Sequence, residues 1–238
     1  MTALTPMGAL PGYLRIAETL AIDIGAGRLS VGDKLPPERV LAGQHGVSVT
    51  TLRKALRVLA DRGLIAARHG SGHYVTGARD RDGTYALFRL ERHPEGGGLP
   101  GADLISVTQA AKPCGLPDTG GDPSDGLHIR RLRRLDGIAV ALEDIWLEGR
   151  FARDLRADQL SVSLYKTYRD RLGLRIQRAE DRVRVAPLPA WAPDAIGIAA
   201  GTQMGLVDRR AFDEYGTVAE VSQTWFDPAR ARYLARVP

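Results

Sequence analysis

Cysteine is almost missing from this chain: one residue, Cys114, in 238. No internal disulfide can form, and the Pro113-Cys114-Gly115 setting supplies neither a catalytic partner nor a second metal ligand. A cytoplasmic, reducing location is expected. Nowhere are there 18 uninterrupted apolar residues, so no membrane-spanning helix is expected, and Met1 to Gly8 lacks the basic cluster and apolar run of a signal peptide. Neither is there a large excess of one charge, since 33 Lys/Arg stand against 28 Asp/Glu for a net of +5. With 44% hydrophobic residues, disorder throughout is excluded, and the length allows two modest domains.

The small positive excess is unevenly placed. Residues 1–77 carry nine Lys/Arg against five Asp/Glu, whereas the remaining 161 residues are nearly balanced. A basic field confined to the first third of the chain points to an anionic partner there.

Within that third lies Gly46 to Gly63, which reads as a helix. Ser48 can cap it, Gly63 can end it in the left-handed conformation, and Leu52, Ala55, Leu56 and Leu59 form one apolar stripe. Thr50, Thr51, Arg53, Lys54 and Arg57 occupy the rest of its surface, as a face reading DNA would. Ahead of it, Tyr13 to Ile24 has helical apolar spacing closed by Gly25 and Gly27, and Pro36-Pro37-Glu38-Arg39 opens a short second helix that stops at Gly46. Two short helices joined by a glycine turn, the second basic, are the helix-turn-helix arrangement. Leu64 to Arg68 and His73 to Val75 then flank His69-Gly70-Ser71-Gly72 as a β-hairpin wing.

This constellation resembles the GntR family of bacterial transcription regulators over Tyr13 to Val75. The resemblance rests on the Leu35-Pro36-Pro37-Glu38-Arg39 turn, on Val47, Ser48, Thr51, Arg53, Ala55, Leu56 and Leu59, and on Gly63, Gly70 and Gly72. It implies that Arg39, Thr51 and Arg53 contact DNA and that Gly70 approaches the minor groove. The candidate DNA-binding set is therefore Arg39, Ser48, Thr50, Thr51, Arg53, Lys54, Arg57, His69 and Gly70. The chain departs from the family at Pro37, where a serine cap is usual, and at Val49, where an arginine touching the operator is usual.

Further along, Gly- and Pro-rich punctuation and the Arg79-Asp80-Arg81-Asp82 run place a linker at 78–101, with Tyr85 to Phe88 as a candidate strand. Expected strands then cover Asp103 to Ala111, Leu127 to Leu135, Ile138 to Leu147, Leu174 to Val185, Met204 to Asp213 and Val218 to Phe226. A polar loop is expected at Lys112 to Gly126, and helices after Ser161, over Ala190 to Ala199 and after Asp227. This is an antiparallel α+β domain. Arg131 and Arg133 share a strand face with Leu127, Ile129 and Leu135, and buried guanidinium groups need anionic partners. Glu143 returns on the next strand. A three-residue loop at Asp136-Gly137 sets it opposite Arg131, while a two-residue loop sends it to the other face, and spacing does not choose.

From about Tyr85 to Val237 the chain also resembles the UTRA effector-binding domain of the HutC subfamily, similar in fold to chorismate lyase. Arg131, Arg133, Asp136-Gly137, Glu143, Ser163-Leu164-Tyr165 and Glu220 carry that resemblance. It implies a pocket in which the arginines and Ser163 hold the anionic group of a sugar phosphate or amino-acid derivative, while the glutamates hold hydroxyl or amine groups. The candidate effector set is Arg131, Arg133, Glu143, Ser163, Tyr165, Glu220 and Phe226, the last standing where a tyrosine is common. A structural ion pair is the competing reading of Arg131, Arg133 and Glu143.

The expected organisation is a winged helix-turn-helix domain at 8–77, a linker and leading strand at 78–101, and an effector-binding and dimerisation domain at 102–238. The expected function is a DNA-binding transcription regulator, a repressor by resemblance, acting as a homodimer on a palindromic operator with a small-molecule effector. Two alternatives belong to other classes: an enzyme with a lyase-like domain, and a ligand-independent structural DNA-binding protein. Little in the chain supports a reaction. His69 and His73 have no third ligand nearby, and Gly70-Ser71-Gly72 is neither a nucleophile elbow nor a dinucleotide loop. No metal and no cofactor are expected.

Overall fold

Helix α1 (Gly12–Gly25) lays Ile16, Ala17, Leu20 and Ala21 on the stripe formed by Leu52, Ala55, Leu56 and Leu59 of helix α3 (Val49–Asp61). The computed structural model describes residues 4–7, 10–25, 27–76, 87–112, 125–152 and 155–235. They fall into two units, Leu10–Arg89 with Gly97–Leu99 and Leu234–Pro238, and Met1–Ala9 with Leu90–Gly96 and Pro100–Tyr233.

In the helical unit, helix α2 (Glu38–Gln44) adds Leu41 and Ala42 to the same core. Pro37 sits at its N-cap and offers no capping hydrogen bond, so the helix starts with Glu38 near its positive end as the compensating charge. The turn to α3 uses Gly46 at φ 63°. Ser48 then caps α3 by accepting from the Thr51 N–H at 3.2 Å. At the far end Gly63 has φ 72° and the Leu64 N–H reaches the Leu59 carbonyl, as expected for a left-handed helix stop. Glu18, 1% exposed on α1, is neutralised by Arg62 at 2.6 Å just past α3, a link that apolar periodicity does not reveal. Strands β2 (Ile65–Arg68) and β3 (Gly72–Val75) form the wing in the register Ile65↔Val75 to Arg68↔Gly72, and Lys34 bridges to Tyr74.

The other unit is built on a seven-stranded antiparallel sheet. Its strands are β1 (Thr5–Pro6), β5 (Pro100–Gln109), β6 (Gly126–Leu135), β7 (Ile138–Glu148), β8 (Ile176–Pro187), β9 (Gln203–Asp213) and β10 (Val218–Phe226), in the spatial order β1-β5-β6-β7-β10-β9-β8. A separate ladder joins β4 (Leu90–Arg92) to β11 (Ala231–Tyr233). Between β7 and β8 come the short helix α4 (Gly149–Ala152), a 3-10 turn at Ala157–Gln159 and helix α5 (Leu164–Thr167), which continues as a π turn over Tyr168–Leu172 to Gly173 at φ 66°. One sheet face packs Leu132, Leu142, Leu206 and Trp225 under Ile196, Leu188 and Trp191.

Several expectations need correction. Ala190 to Ala199 holds only a 3-10 turn at Asp194–Ile196, because Pro193 cannot donate into a helix and restricts Ala192 before it. Among the described residues no helix follows Asp227: one turn closes on its carbonyl and carboxylate, and Ala231–Tyr233 then becomes β11 because β4 offers an open ladder. Of the candidate strand at Tyr85 to Phe88, Tyr85 and Ala86 lie outside the described residues, Leu87 is in a turn, and β4 starts at Leu90. Most of the polar loop at Lys112 to Gly126, with Cys114, also lies outside them, and the stretch 78–101 contains β4 and the first two residues of β5.

The hairpin between β6 and β7 decides the question left open by spacing. Its loop has two residues, Asp136 at φ 49° and Gly137 at φ 84°, the positive-φ pair that a tight hairpin turn requires. By itself that loop would send Glu143 away from Arg131. The register shifts by one between Arg133↔Ala141 and Arg134↔Ala139, leaving Val140 as a bulge, and Arg131 pairs with Glu143.

Candidate functional site

Two surfaces hold the residues singled out by the sequence. On the helical unit, Arg39, Ser48, Thr50, Arg53, Lys54, Arg57, His69 and Gly70 are exposed, and Thr51 is half-buried. The Ser48 and Thr51 hydroxyls lie 2.9 Å apart and engage each other, so their first role is the helix cap. Arg53 donates its Nε to the Glu38 carboxylate at 2.7 Å, linking the recognition helix to the start of α2. At the wing, Gly70 has φ 68°, the Arg68 guanidinium lies 4.2 Å over the Tyr74 ring, and the Ser71 and Tyr74 hydroxyls are 2.6 Å apart. Arg68 and Tyr74 were not singled out by the sequence; an arginine two residues before a Gly-Ser-Gly turn was the available signal.

The second surface is the sheet face under α5. Cross-strand rows set Arg131, Glu143, Thr224 and Val207 side by side, and Ile129, Ile145, Ser222 and Arg209 in the next row. Arg131 and Arg133 are buried, and both donate Nη1 to one backbone carbonyl, Val162, at 3.1 and 2.8 Å. Arg131 Nη2 also meets Glu143 at 2.5 Å, and Arg133 Nε lies 3.6 Å from the same carboxylate. Burial works to raise the Glu143 pKa, but the Arg131 and Arg133 charges outweigh it and hold the carboxyl below its ordinary value. Arg131 Nε is buried with no hydrogen-bond acceptor among the described residues.

Beside this pair, Glu220 accepts hydrogen bonds from Tyr165 at 3.1 Å and Tyr168 at 2.7 Å. Burial pushes its carboxyl above the usual range, with the Tyr168 hydrogen bond and the Arg209 and Arg131 charges only partly opposing. Both tyrosine hydroxyls are held well above their ordinary range by burial and by the Glu220 charge. Arg209 forms a two-point contact with Asp181 at 2.6 and 2.7 Å, and Tyr233 donates to Asp181 at 2.5 Å. Ser163 caps α5 by accepting from the Lys166 N–H at 3.3 Å. Phe226 shares the face, and its ring fills the space where Gly205 on β9 lacks a Cβ. The structure thus brings Arg131, Arg133, Glu143, Tyr165 and Glu220 onto one face, with Ser163 next to the shared carbonyl and Phe226 in a packing role. Among the described residues no group of three His, Cys, Asp or Glu side chains could hold a metal.

Comparison with known proteins matches residues 12–75 to the bacterial regulatory proteins of the gntR family and residues 121–232 to the UTRA domain. The HTH-type transcriptional regulator SmoD of Agrobacterium fabrum is 46% identical over 230 residues, covering 97% of each chain. The chain belongs to the GntR family of transcription regulators.

The HTH-type transcriptional repressor NagR of Bacillus subtilis is 27% identical over 232 residues, covering 94% of each protein. The fold of the sheet unit is that of the ligand-binding domain of a GntR-family regulator from Bordetella bronchiseptica, with a TM-score of 0.58 at 20% identity, covering 63% of this chain and 96% of that one. This GntR-family chain is a ligand-responsive DNA-binding regulator, with the helix-turn-helix as its DNA-binding part and the UTRA domain as its effector-binding part. No helix among the described residues is long and apolar enough to cross a membrane.

Arg209, Asp181 and Tyr168 are the members of the charged face that sequence reasoning missed. Arg209 alternates with Val207 and Ala211 as Arg131 alternates with Ile129, so the same period-two signal was present. Tyr168 follows Tyr165 at helical i+3 spacing, which reads equally well as ordinary packing.

Proposed function

We propose that this regulator is a cytoplasmic homodimeric repressor without catalytic activity, whose operator affinity is set by a small anionic metabolite, a sugar phosphate or an amino-acid derivative. The observation that carries the effector class is the convergence of two buried guanidiniums on the Val162 carbonyl and Glu143, with a donor of Arg131 left over. Buried arginines in that arrangement favour a planar or tetrahedral anion able to take several hydrogen bonds at once. An effector anion would replace the Val162 carbonyl as their acceptor, while Glu220 and the two tyrosines meet hydroxyl or amine groups. Release of Val162 would free the segment leading to α5.

On the DNA side, Arg39, Arg53, Lys54 and Arg57 supply the phosphate and base contacts, with His69 and Gly70 at the wing. A single short helix reads too few base pairs for specificity, so two copies on a palindromic operator are proposed. Coupling between effector and DNA is expected at about 1–3 kcal/mol.

The test is fluorescence anisotropy with the DNA upstream of the regulator's own gene, across a salt series, with pools of sugar phosphates and amino-acid derivatives. Preference over scrambled DNA, a steep loss with salt, and release by one pool are expected. Arg53→Ala should weaken operator preference while leaving effector binding intact, and Arg131→Ala should abolish release while leaving operator preference intact. An unchanged response in Arg131→Ala would remove the pocket assignment.

A further inference from the structure

The reverse face of the seven-stranded sheet, turned away from α5, holds charges that the effector face does not use. Because side chains alternate along a strand, Arg210 and Gln223 point there while their chain neighbours Arg209 and Ser222 point to the effector face. Cross-strand rows set Asp144, Gln223, Asp208 and Arg182 side by side, and Trp146, Val221, Arg210 and Glu180 in the next row. Where β8, β9 and β10 meet on this face a pocket of about 40 Å³ opens, lined by Val221, Glu180, Arg182, Asp208, Arg210 and Gln223. It has room for one tetrahedral oxyanion and too little for a sugar ring.

The charges around this pocket do not cancel. Glu180 is engaged by Arg178, and Asp208 accepts from Arg184 at 2.8 Å and from Gln223 at 2.7 Å, so both carboxylates already have their cations. The Arg182 and Arg210 side chains make neither a hydrogen bond nor an ion pair among the described residues. Arg182 is exposed, and water can serve it. Arg210 is half-buried, and its Nε–H is shut away from water with no acceptor. Its guanidinium lies 5.5 Å from the centre of the Phe212 ring, which Arg178 already covers at 3.7 Å. Arg182 and Arg210 are diagonal neighbours on adjacent strands, within reach of long side chains, so their charges repel unless an anion sits between them.

We propose that this pocket is a second anion site, in which Arg182 and Arg210 hold one phosphate group, either free or carried by a small metabolite. A planar carboxylate is satisfied by the paired N–H groups of one guanidinium, whereas two guanidiniums from adjacent strands can meet different oxygens of a tetrahedral anion. The site does not depend on the effector reading, which uses the other face. It gives the regulator a second chemical input on β9 and β10, the strands that carry Arg209 and Glu220.

Heteronuclear NMR of the arginine Nε–H groups of the full chain, titrated with inorganic phosphate at constant ionic strength, tests the site. The signals assigned by Arg182→Gln and Arg210→Gln should move together and saturate with one affinity, while chloride leaves them in place. In Arg182→Gln the Arg210 signal should need about tenfold more phosphate, because a charged donor is lost. Arg131→Lys, which keeps a positive charge beside Glu143, should leave the Arg182 and Arg210 titration unchanged, so the two faces are read apart. Should Arg210→Gln fail to fold, phosphate calorimetry of Arg182→Gln against Arg182, both in the Arg131→Lys background, gives an independent reading, and the same loss is expected. Methyl phosphate binding as tightly as inorganic phosphate would identify the occupant as a group on a metabolite, and a preference for inorganic phosphate would identify the free ion. Signals that stay in place, that move equally with chloride, that titrate in Arg182→Gln as in wild type, or that stop responding in Arg131→Lys would overturn the site.

Discussion

Glu38 at the first position of α2 accepts the Arg53 Nε hydrogen bond at 2.7 Å, joining the two helices of the helix-turn-helix through the side chain expected to read bases. The pair is largely exposed on the Arg53 side, so it adds little stability and acts mainly by restricting where the guanidinium points. Glu38→Gln is expected to leave the fold intact, raise affinity for scrambled DNA by removing a negative charge, and lower the ratio of operator to scrambled binding. Arg53→Ala should cost about 1–3 kcal/mol of base discrimination. Anisotropy on both DNAs reads the two effects separately, and an unchanged ratio in Glu38→Gln would mean that Glu38 does not position Arg53.

The buried Glu18 and Arg62 pair ties α1 to the end of α3. Removing one partner strands a charge, so Arg62→Ala should destabilise the helical unit by about 3–5 kcal/mol. Replacing both, as in Glu18→Met with Arg62→Leu, should recover most of that loss in urea unfolding.

The two buried glutamates of the UTRA face give opposite pH signatures. Glu220 has a raised pKa, so its contribution to stability is complete below the ordinary value of 4.5 and is lost as pH rises through the elevated folded-state value. Glu143 has a lowered pKa, so its contribution is present above 4.5 and is lost as pH falls through the depressed value. Unfolding measured across pH should therefore lose its decline above 4.5 in Glu220→Gln and its acid-side decline in Glu143→Gln. Identical profiles in wild type and both variants would contradict these assignments.

Gly205 faces Phe226 across β9 and β10, and an added Cβ would collide with the aromatic ring. Gly205→Ala should cost about 1–3 kcal/mol through overpacking. Combining it with Phe226→Leu should be less damaging than the sum of the two, by more than about 0.5 kcal/mol in a double-mutant cycle.

The helical unit was legible in the sequence almost throughout because its information is local. Ser48, Gly46 and Gly63 mark the ends of α3, and the apolar spacing of Leu52, Ala55, Leu56 and Leu59 defines the buried stripe without reference to any distant residue. The basic first third of the chain and the Gly70 turn are local in the same sense. The long strands β5 to β10 were also readable, since period-two alternation marks them, whereas the short strands β1 and β4 carry too few residues for that signal. Less was readable at the end of the chain: Asp227-Pro228 starts a helix as well as it starts a turn, and only the open ladder of β4 makes Ala231–Tyr233 a strand.

The charged face shows where local information stops. Arginines among apolar residues on β6, a glutamate on β7 and the Asp136-Gly137 turn are all properties of the sequence by itself, and they determined that buried guanidiniums would need an acid. Which acid was decided by tertiary structure. The two-residue loop alone would have turned Glu143 to the opposite face, but Val140 bulges out, its carbonyl taking the Asp227 N–H at 2.9 Å and its neighbour Ala139 accepting from Arg230 at 3.1 Å. Because side chains alternate with a period of two, that one extra residue reverses the face of everything beyond it, and contacts from nearly 90 residues away hold it in place.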